Sequence, residues 1–217
     1  MRVVASESGR LTLLIDILEL APPQGLYAVE VISAVQERYS FLSVKPPTPD
    51  QAQIRFERGR SPNGKMIAQF EIHQHGLLID SLDTESADLF LEDLLAEGGK
   101  QFGLQRVKSP LKKIYTSNLI VELQSDLDTL FVKHKAIFGT FGSLLKRYYE
   151  IEERPSLGGM TLKPDPEKLP PRLAGLLADF RIERRIFAPY SAHRYYSSAP
   201  LPTKDHIEFL GHLEELA

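Results

Sequence analysis

The sequence predicts an α+β protein in which antiparallel β-meanders pack against amphipathic helices, either as one continuous domain or as two β-sheet-plus-helix subunits. Three observations predict it. Apolar and polar residues alternate at period two around 54–57, 66–73 and 180–187, the pattern of half-buried strands. Apolar stripes at helical spacing follow at 84–98, 126–148 and 203–216. Between them, short runs rich in Pro, Gly, Asn and Asp supply turns and connectors. The order of elements divides into an N-terminal unit, 1–104, with a β-β-β-α segment at 53–98, and a C-terminal unit, 105–217.

The N-terminal unit opens with the extended run "GRLTLLIDILEL", closed by Pro22 and Pro23. In "LYAVEVISAVQERYSF", Val29, Ile32, Val35 and Tyr39 recur at helical spacing and predict a helix. "KPPTPDQ", Lys45 to Gln51, is an extended connector, because a residue before proline is pushed out of the α region. The stretch from Gln53 to Leu82 then reads as a three-stranded meander. A Pro62-Asn63-Gly64 loop, with Gly64 left-handed, pairs Phe56 with Phe70 and Ile54 with Ile72 and sets Arg55 opposite Glu71. A two-residue turn on His75-Gly76 pairs Ile72 with Ile79 and Phe70 with Ser81. "DTESADLFLEDLLAEGGKQFG" follows as a helix, capped by Asp83 or Thr84, striped by Leu91, Leu94 and Leu95, and ended by Gly98-Gly99.

The C-terminal unit begins with the strand "IYTSNLIVEL". Ser125, three before Asp128, suggests a cap for a helix over 126–148, whose stripe holds Leu127, Leu130, Phe131, His134, Ile137, Phe138, Phe141, Leu145 and Tyr148. "MTLKP" is a short strand, and "PDPEKLPPRL" is a connector marked by its prolines. "DFRIERRIF" and "HRYYSSA" read as strands joined by a turn around Pro189-Tyr190-Ser191, and a terminal helix covers 203–216. An internal echo aligns "TESADLFLEDL" from Thr84 with "TKDHIEFLGHL" from Thr203, a match that amphipathic helices also produce by chance.

Composition removes several function classes. At 42% hydrophobic and 25% charged, the 217-residue chain is an ordinary globular one. The absence of cysteine excludes disulfides, thiolate metal sites and a cysteine nucleophile. The start "MRVVASESGR" lacks a secretory apolar core, and no run of 18 apolar residues occurs, so a cytoplasmic protein with no membrane partner is expected. The net charge of −3 is unevenly spread: residues 1–100 carry 9 Lys and Arg against 15 Asp and Glu, and the rest carry 17 against 14. That leaves room for a local basic face only.

No nucleotide, zinc-helix, EF-hand or nucleophile-elbow motif is present; "GTFGSLLKR" lacks the Gly-Lys-Ser/Thr block that would cradle phosphate. Glu71, His73 and His75 share a strand face, yet no third ligand is fixed by spacing, and "HQHG" reads as a turn on a solvent face rather than a metal site. His134 inside an apolar stripe reads as a hydrogen-bonded core residue. His206 and His212, six apart, fall on different helix faces. The acidic clusters Glu92-Asp93 and Glu150 to Glu153 read as solvated surface. No cofactor, metal or catalytic residue is expected, although an enzyme built from distant groups such as Glu71, His73, His134 and His193 stays open.

One constellation stands out, "FRIERRIFAPYSAHRYYSS", where Arg181, Arg184, Arg185 and Arg194 lie among Tyr190, His193, Tyr195 and Tyr196. Tyrosine and arginine together are what protein interfaces concentrate. The same mixture suits single-stranded nucleic acid or phosphate, and a charged strand edge that discourages aggregation would look alike. By alternation, Arg184 shares the apolar face with Phe180 and Ile182 and needs a partner if buried. Arg106, Lys108, Lys112 and Lys113 would extend a basic surface if they lay beside this stretch. The expectation is a non-enzymatic interaction protein working through a protein partner or its own oligomer, with nucleic-acid or phosphate binding over 181–196 as the alternative. On that expectation, replacing Arg184 and Tyr195 with alanine breaks assembly and spares the fold.

Overall fold

The computed structural model describes all residues except 23–24, 27–28, 48–52, 108–110, 130–134, 151, 153–155, 172, 174 and 217. In chain order the described elements are β1 (Arg2–Leu14), α1 (Val29–Arg38), β2 (Ser43–Lys45), β3 (Ile54–Arg60), β4 (Met66–His73), β5 (Gly76–Ser81), α2 (Thr84–Gln101), β6 (Lys112–Glu122), α3 (Lys135–Tyr149), β7 (Gly159–Leu162), β8 (Phe180–Arg184), β9 (Arg194–Ala199) and α4 (Thr203–Glu215). The strands form one antiparallel sheet in the order β2-β3-β4-β5-β1-β6-β9-β8-β7. Two separate sheets do not form. β1 and β6, one from each half of the chain, pair from Arg2↔Glu122 to Leu14↔Lys112 and fuse the two meanders along a central ladder.

The β3–β4 hairpin has the expected register, with Ile54 opposite Ile72, Phe56 opposite Phe70 and Arg55 opposite Glu71. Gly64 takes the left-handed conformation at φ 79° that closes the loop. The β4–β5 turn is displaced from expectation by one residue: Gln74-His75 form it, Ile72 pairs with Leu77, and Phe70 pairs with Ile79. The apolar face is kept, because the register slips by two. Gly76 serves another purpose than turning, since a Cβ there would stand 2.1 Å from the Leu13 carbonyl oxygen of the neighbouring strand.

α2 approaches β1 and β5, α4 approaches β6, and the buried side of α1 joins the same core as α2. Beneath α1 and α2, Phe41, Phe56, Phe70 and Phe90 cluster with Tyr39, Leu11, Leu13 and Ile79; beneath α4 a smaller core joins Leu119, Val121, Ile182, Tyr195, Leu210 and Leu213. In α1 the buried pair is Val31 and Val35, which turns Val29, about 200° around from Val31, into solvent. Asp83 caps α2 by accepting from the Ser86 N–H. Gly98-Gly99 do not end that helix: Leu104 folds back onto Gly98 where any side chain would collide, and Gly103, at φ 72°, makes the exit. The opposite sheet face carries Arg10, Arg55, Gln69, Glu71, Asp80, Asn118, Arg194 and Tyr196.

The helix expected over 126–148 begins later. Residues 127–129 form a 3-10 turn, Asp126 rather than Ser125 accepts at its start, from the Asp128 N–H, and α3 runs from Lys135. Leu130, Phe131 and His134 lie outside the described residues. The echoed threonines meet each other, for the N–H of Thr84 donates to Thr203 Oγ1 at 3.0 Å and that of Thr203 donates to Thr84 Oγ1 at 2.7 Å. Each threonine thus caps the other's helix, at the point where Gly9 lies opposite Ser117 on the central ladder.

Candidate functional site

β8 stops at Arg184, three residues before the end of the alternating pattern, and the chain turns through residues 185–193 before β9. The Arg185 N–H donates to the Arg194 carbonyl at 2.9 Å and closes this tip. Two non-glycine residues in it are left-handed, Phe187 at φ 66° and His193 at φ 42°. For Phe187 that conformation costs about 1–2 kcal/mol. The ring gains no contact in exchange: Phe187 is 104% exposed, beside Ile186 at 77% and Tyr190 at 63%. A strained backbone thus leaves Ile186 and Phe187 in solvent at one end of the sheet.

Arg184 supports this tip from within. Its side chain is 7% exposed and pairs with Asp126. Nη1 donates to the Tyr190 carbonyl at 3.1 Å, and the guanidinium carbon lies 4.2 Å from the Tyr190 ring centre and 5.0 Å from that of Tyr195. The Tyr195 hydroxyl donates to Asp126 Oδ1 at 3.0 Å and accepts from Arg184 Nη2 and the Leu127 N–H. Burial pushes the Tyr195 hydroxyl up to about 12. Burial also acts to raise Asp126, but Arg184, the Asp128 N–H and Tyr195 together hold it below the ordinary carboxylate range. Arg184 Nε is the one buried side-chain polar atom without a partner among the described residues. The network is therefore a positioning device, a partly buried ion pair whose arginine holds Tyr190 at the base of the tip.

The eight residues singled out from sequence fall into three places. Arg184 and the fully buried Tyr195 are interior, so their removal to alanine would injure the fold that the proposed assembly test was meant to spare. Arg185, Tyr190 and His193 belong to the tip, where the His193 carbonyl accepts from the Leu123 N–H. Arg181, Arg194 and Tyr196 lie on the helix-free face. Each arginine faces a carboxylate: Arg181 faces Glu183, Arg185 faces Glu7 at 3.3 Å, and Arg194 faces Glu122 at 2.5 Å. Lys112 and Lys113 sit at the far end of β6 from Glu122, about 33 Å away along the strand, so they do not extend the arginine surface. Lys113 pairs instead with Asp88 at 2.5 Å.

Sequence reasoning missed Ile186 and Phe187, which it read as strand. The Ala-Pro-Tyr-Ser that follows was a signal that the strand ends earlier, but nothing local shows that their side chains leave the core. Elsewhere, Glu71 is buried among Arg55 at 2.6 Å, Gln69 at 2.7 Å and His73 at 2.7 Å, a satisfied carboxylate on the polar face. Among the described residues no three His, Asp or Glu side chains converge as metal ligands would. His206 is fully buried between Ser117 at 2.8 Å and Ser197 at 2.8 Å. Comparison with known proteins adds no relative: no family model and no curated protein matches the chain.

Proposed function

We propose that the protein is a non-enzymatic, cytoplasmic interaction subunit that docks on a protein partner, or on its own copy, through the 185–193 tip. The observation that carries this reading is Phe187, held in a left-handed conformation with its ring wholly in solvent. Strain of this kind concentrates where a function uses it, and an exposed apolar side chain near arginine and tyrosine is what an interface anchor offers a partner. Burying Phe187 and Ile186 in a partner's pocket would contribute about 1.5–3 kcal/mol each. The test compares affinity capture from the source cytoplasm by the immobilised wild-type chain and by Phe187→Gly. Glycine adopts the left-handed conformation freely, so the variant keeps the fold; loss of one defined protein supports the reading, and identical capture overturns it.

The alternative, nucleic-acid or phosphate binding over 181–196, draws on Arg181, Arg185 and Arg194, all partly exposed. Each would have to exchange a carboxylate for a phosphate. This reading predicts an affinity that falls steeply with salt; a salt-insensitive complex excludes it.

A further inference from the structure

The sheet ends differently on its two sides. Outward from the central ladder, β1 is followed by β5, β4, β3 and β2, and β6 by β9, β8 and β7. β7 therefore stands where β3 stands in the other half. There β3 is covered by β2, a short antiparallel strand, whereas among the described residues β7 has no such neighbour. The connector after β7 leads away from this edge, bringing Pro170, Pro171 and Leu173 beside Leu111 and Ile114 at the start of β6. The Arg184 N–H donates to the Gly158 carbonyl at 2.7 Å, and the pairs Met160↔Ile182 and Leu162↔Phe180 continue that register. Antiparallel bonding alternates along a strand, so the N–H and C=O groups of Met160 and Leu162 face β8. Those of Gly159 and Thr161 face outward and meet no described partner. Lys163 continues the pattern, its side chain meeting Asp179 of the β8 side at 3.2 Å.

We propose that two copies of this chain join at the β7 edge, each β7 pairing antiparallel with the other about a two-fold axis at Thr161. Three features select a second copy as the occupant. The edge offers backbone donors and acceptors, which another extended strand satisfies in series, and this register uses the outward groups of Gly159, Thr161 and Lys163 together. Residues that come opposite each other share a face: Thr161 meets Thr161, and Met160, packed on the smaller core, meets the half-exposed Leu162 of the second copy. Charge is complementary as well. Gly159 leaves room for the Glu183 side chain, whose Cγ would stand 3.0 Å from a Cβ at that position, and Lys163 of the second copy arrives opposite Gly159 on the same face. Lys163 and Glu183 already have exposed partners in Asp179 and Arg181, so their meeting across the axis sets register more than strength. The contact closes on itself, as an isologous pair must, and leaves the tip free for another partner.

The test is sedimentation velocity of the purified full chain over a concentration series. Wild type is expected to pass from 24.5 kDa to twice that mass as concentration rises. Thr161→Pro removes an N–H that β8 does not use, and proline is tolerated on such an edge, so this variant should stay monomeric with its thermal melt retained. Lys163→Glu should weaken the dimer by about 2- to 30-fold, two symmetric exposed contacts being lost, and Lys163→Glu/Glu183→Lys should restore it. This pair decides the matter even if Thr161→Pro fails to fold. The chain has no cysteine, so Thr161→Cys with a short bismaleimide should give a crosslinked dimer where Ser43→Cys, on the opposite edge, gives none. Phe187→Gly should dimerise as wild type does, which separates this edge from the tip. Wild type that remains at 24.5 kDa up to its solubility limit overturns the proposal. So does a dimer indifferent to the β7 variants, or one lost in Phe187→Gly and kept in Thr161→Pro.

Discussion

Replacing His206 with Gln should flatten the acid limb of the stability curve by an amount the structure fixes. The imidazole is fully buried, and burial pushes its pKa from an ordinary 6.5 down to about 4. A neutral ring has one N–H and one bare nitrogen, so one serine hydroxyl must donate to it and the other must accept from it. On unfolding, the ring binds protons as at 6.5. Between pH 6.5 and 4 the unfolded chain therefore holds more protons than the native one, and stability falls as pH falls through that window. The difference in pKa corresponds to about 3 kcal/mol, fully present above pH 6.5 and lost on approaching pH 4, with a slope of at most ~1.4 kcal/mol per pH unit. Urea unfolding of wild type and His206→Gln at several pH values between 7 and 4 isolates the effect, because the carboxylates titrate in both proteins. Wild type should lose about 3 kcal/mol that the variant does not. Parallel curves would show that His206 does not titrate as its burial requires.

Three further expectations rest on packing. Gly76→Ala should destabilise by more than ~2 kcal/mol, since its Cβ meets the Leu13 carbonyl at 2.1 Å, whereas Gly64→Ala, in open space at φ 79°, should cost about 1 kcal/mol; thermal melts that reverse this order would contradict the register. Asp126→Ala removes the carboxylate of a partly buried pair and should cost about 1.5–3 kcal/mol, with much of the loss recovered in Asp126→Leu/Arg184→Met; no recovery would mean that lost packing dominates. In a double-mutant cycle, Thr84→Val and Thr203→Val should couple by at least ~0.5 kcal/mol, and strict additivity would deny the reciprocal caps.

What was legible in the sequence is what local rules decide. The β3–β4 register followed from loop length and alternation, and the α2 cap followed from Asp83, because both depend on neighbours in the chain. The β4–β5 turn was misplaced because Gly76 answers to β1, a strand more than sixty residues away in sequence. Fusion of two meanders into one sheet depends on β1 and β6 finding each other, and no residue in either strand announces it. At the site, alternation correctly turned Arg184 inward and demanded a partner, but the partner, Asp126, is distant in sequence. Ile186 and Phe187 continued the apolar rhythm of β8, so period alone could not reveal that the strand had ended.

The most direct test of the interaction reading is photo-crosslinking in the source cells with p-benzoylphenylalanine at position 187, set beside the same substitution at Leu89, an exposed apolar site on α2. A covalent adduct of one defined protein, or of a second copy of the chain, formed at 187 and absent at 89, is the predicted result. No adduct at 187, or the same adducts from both positions, would contradict the claim that the tip is where this protein meets its partner.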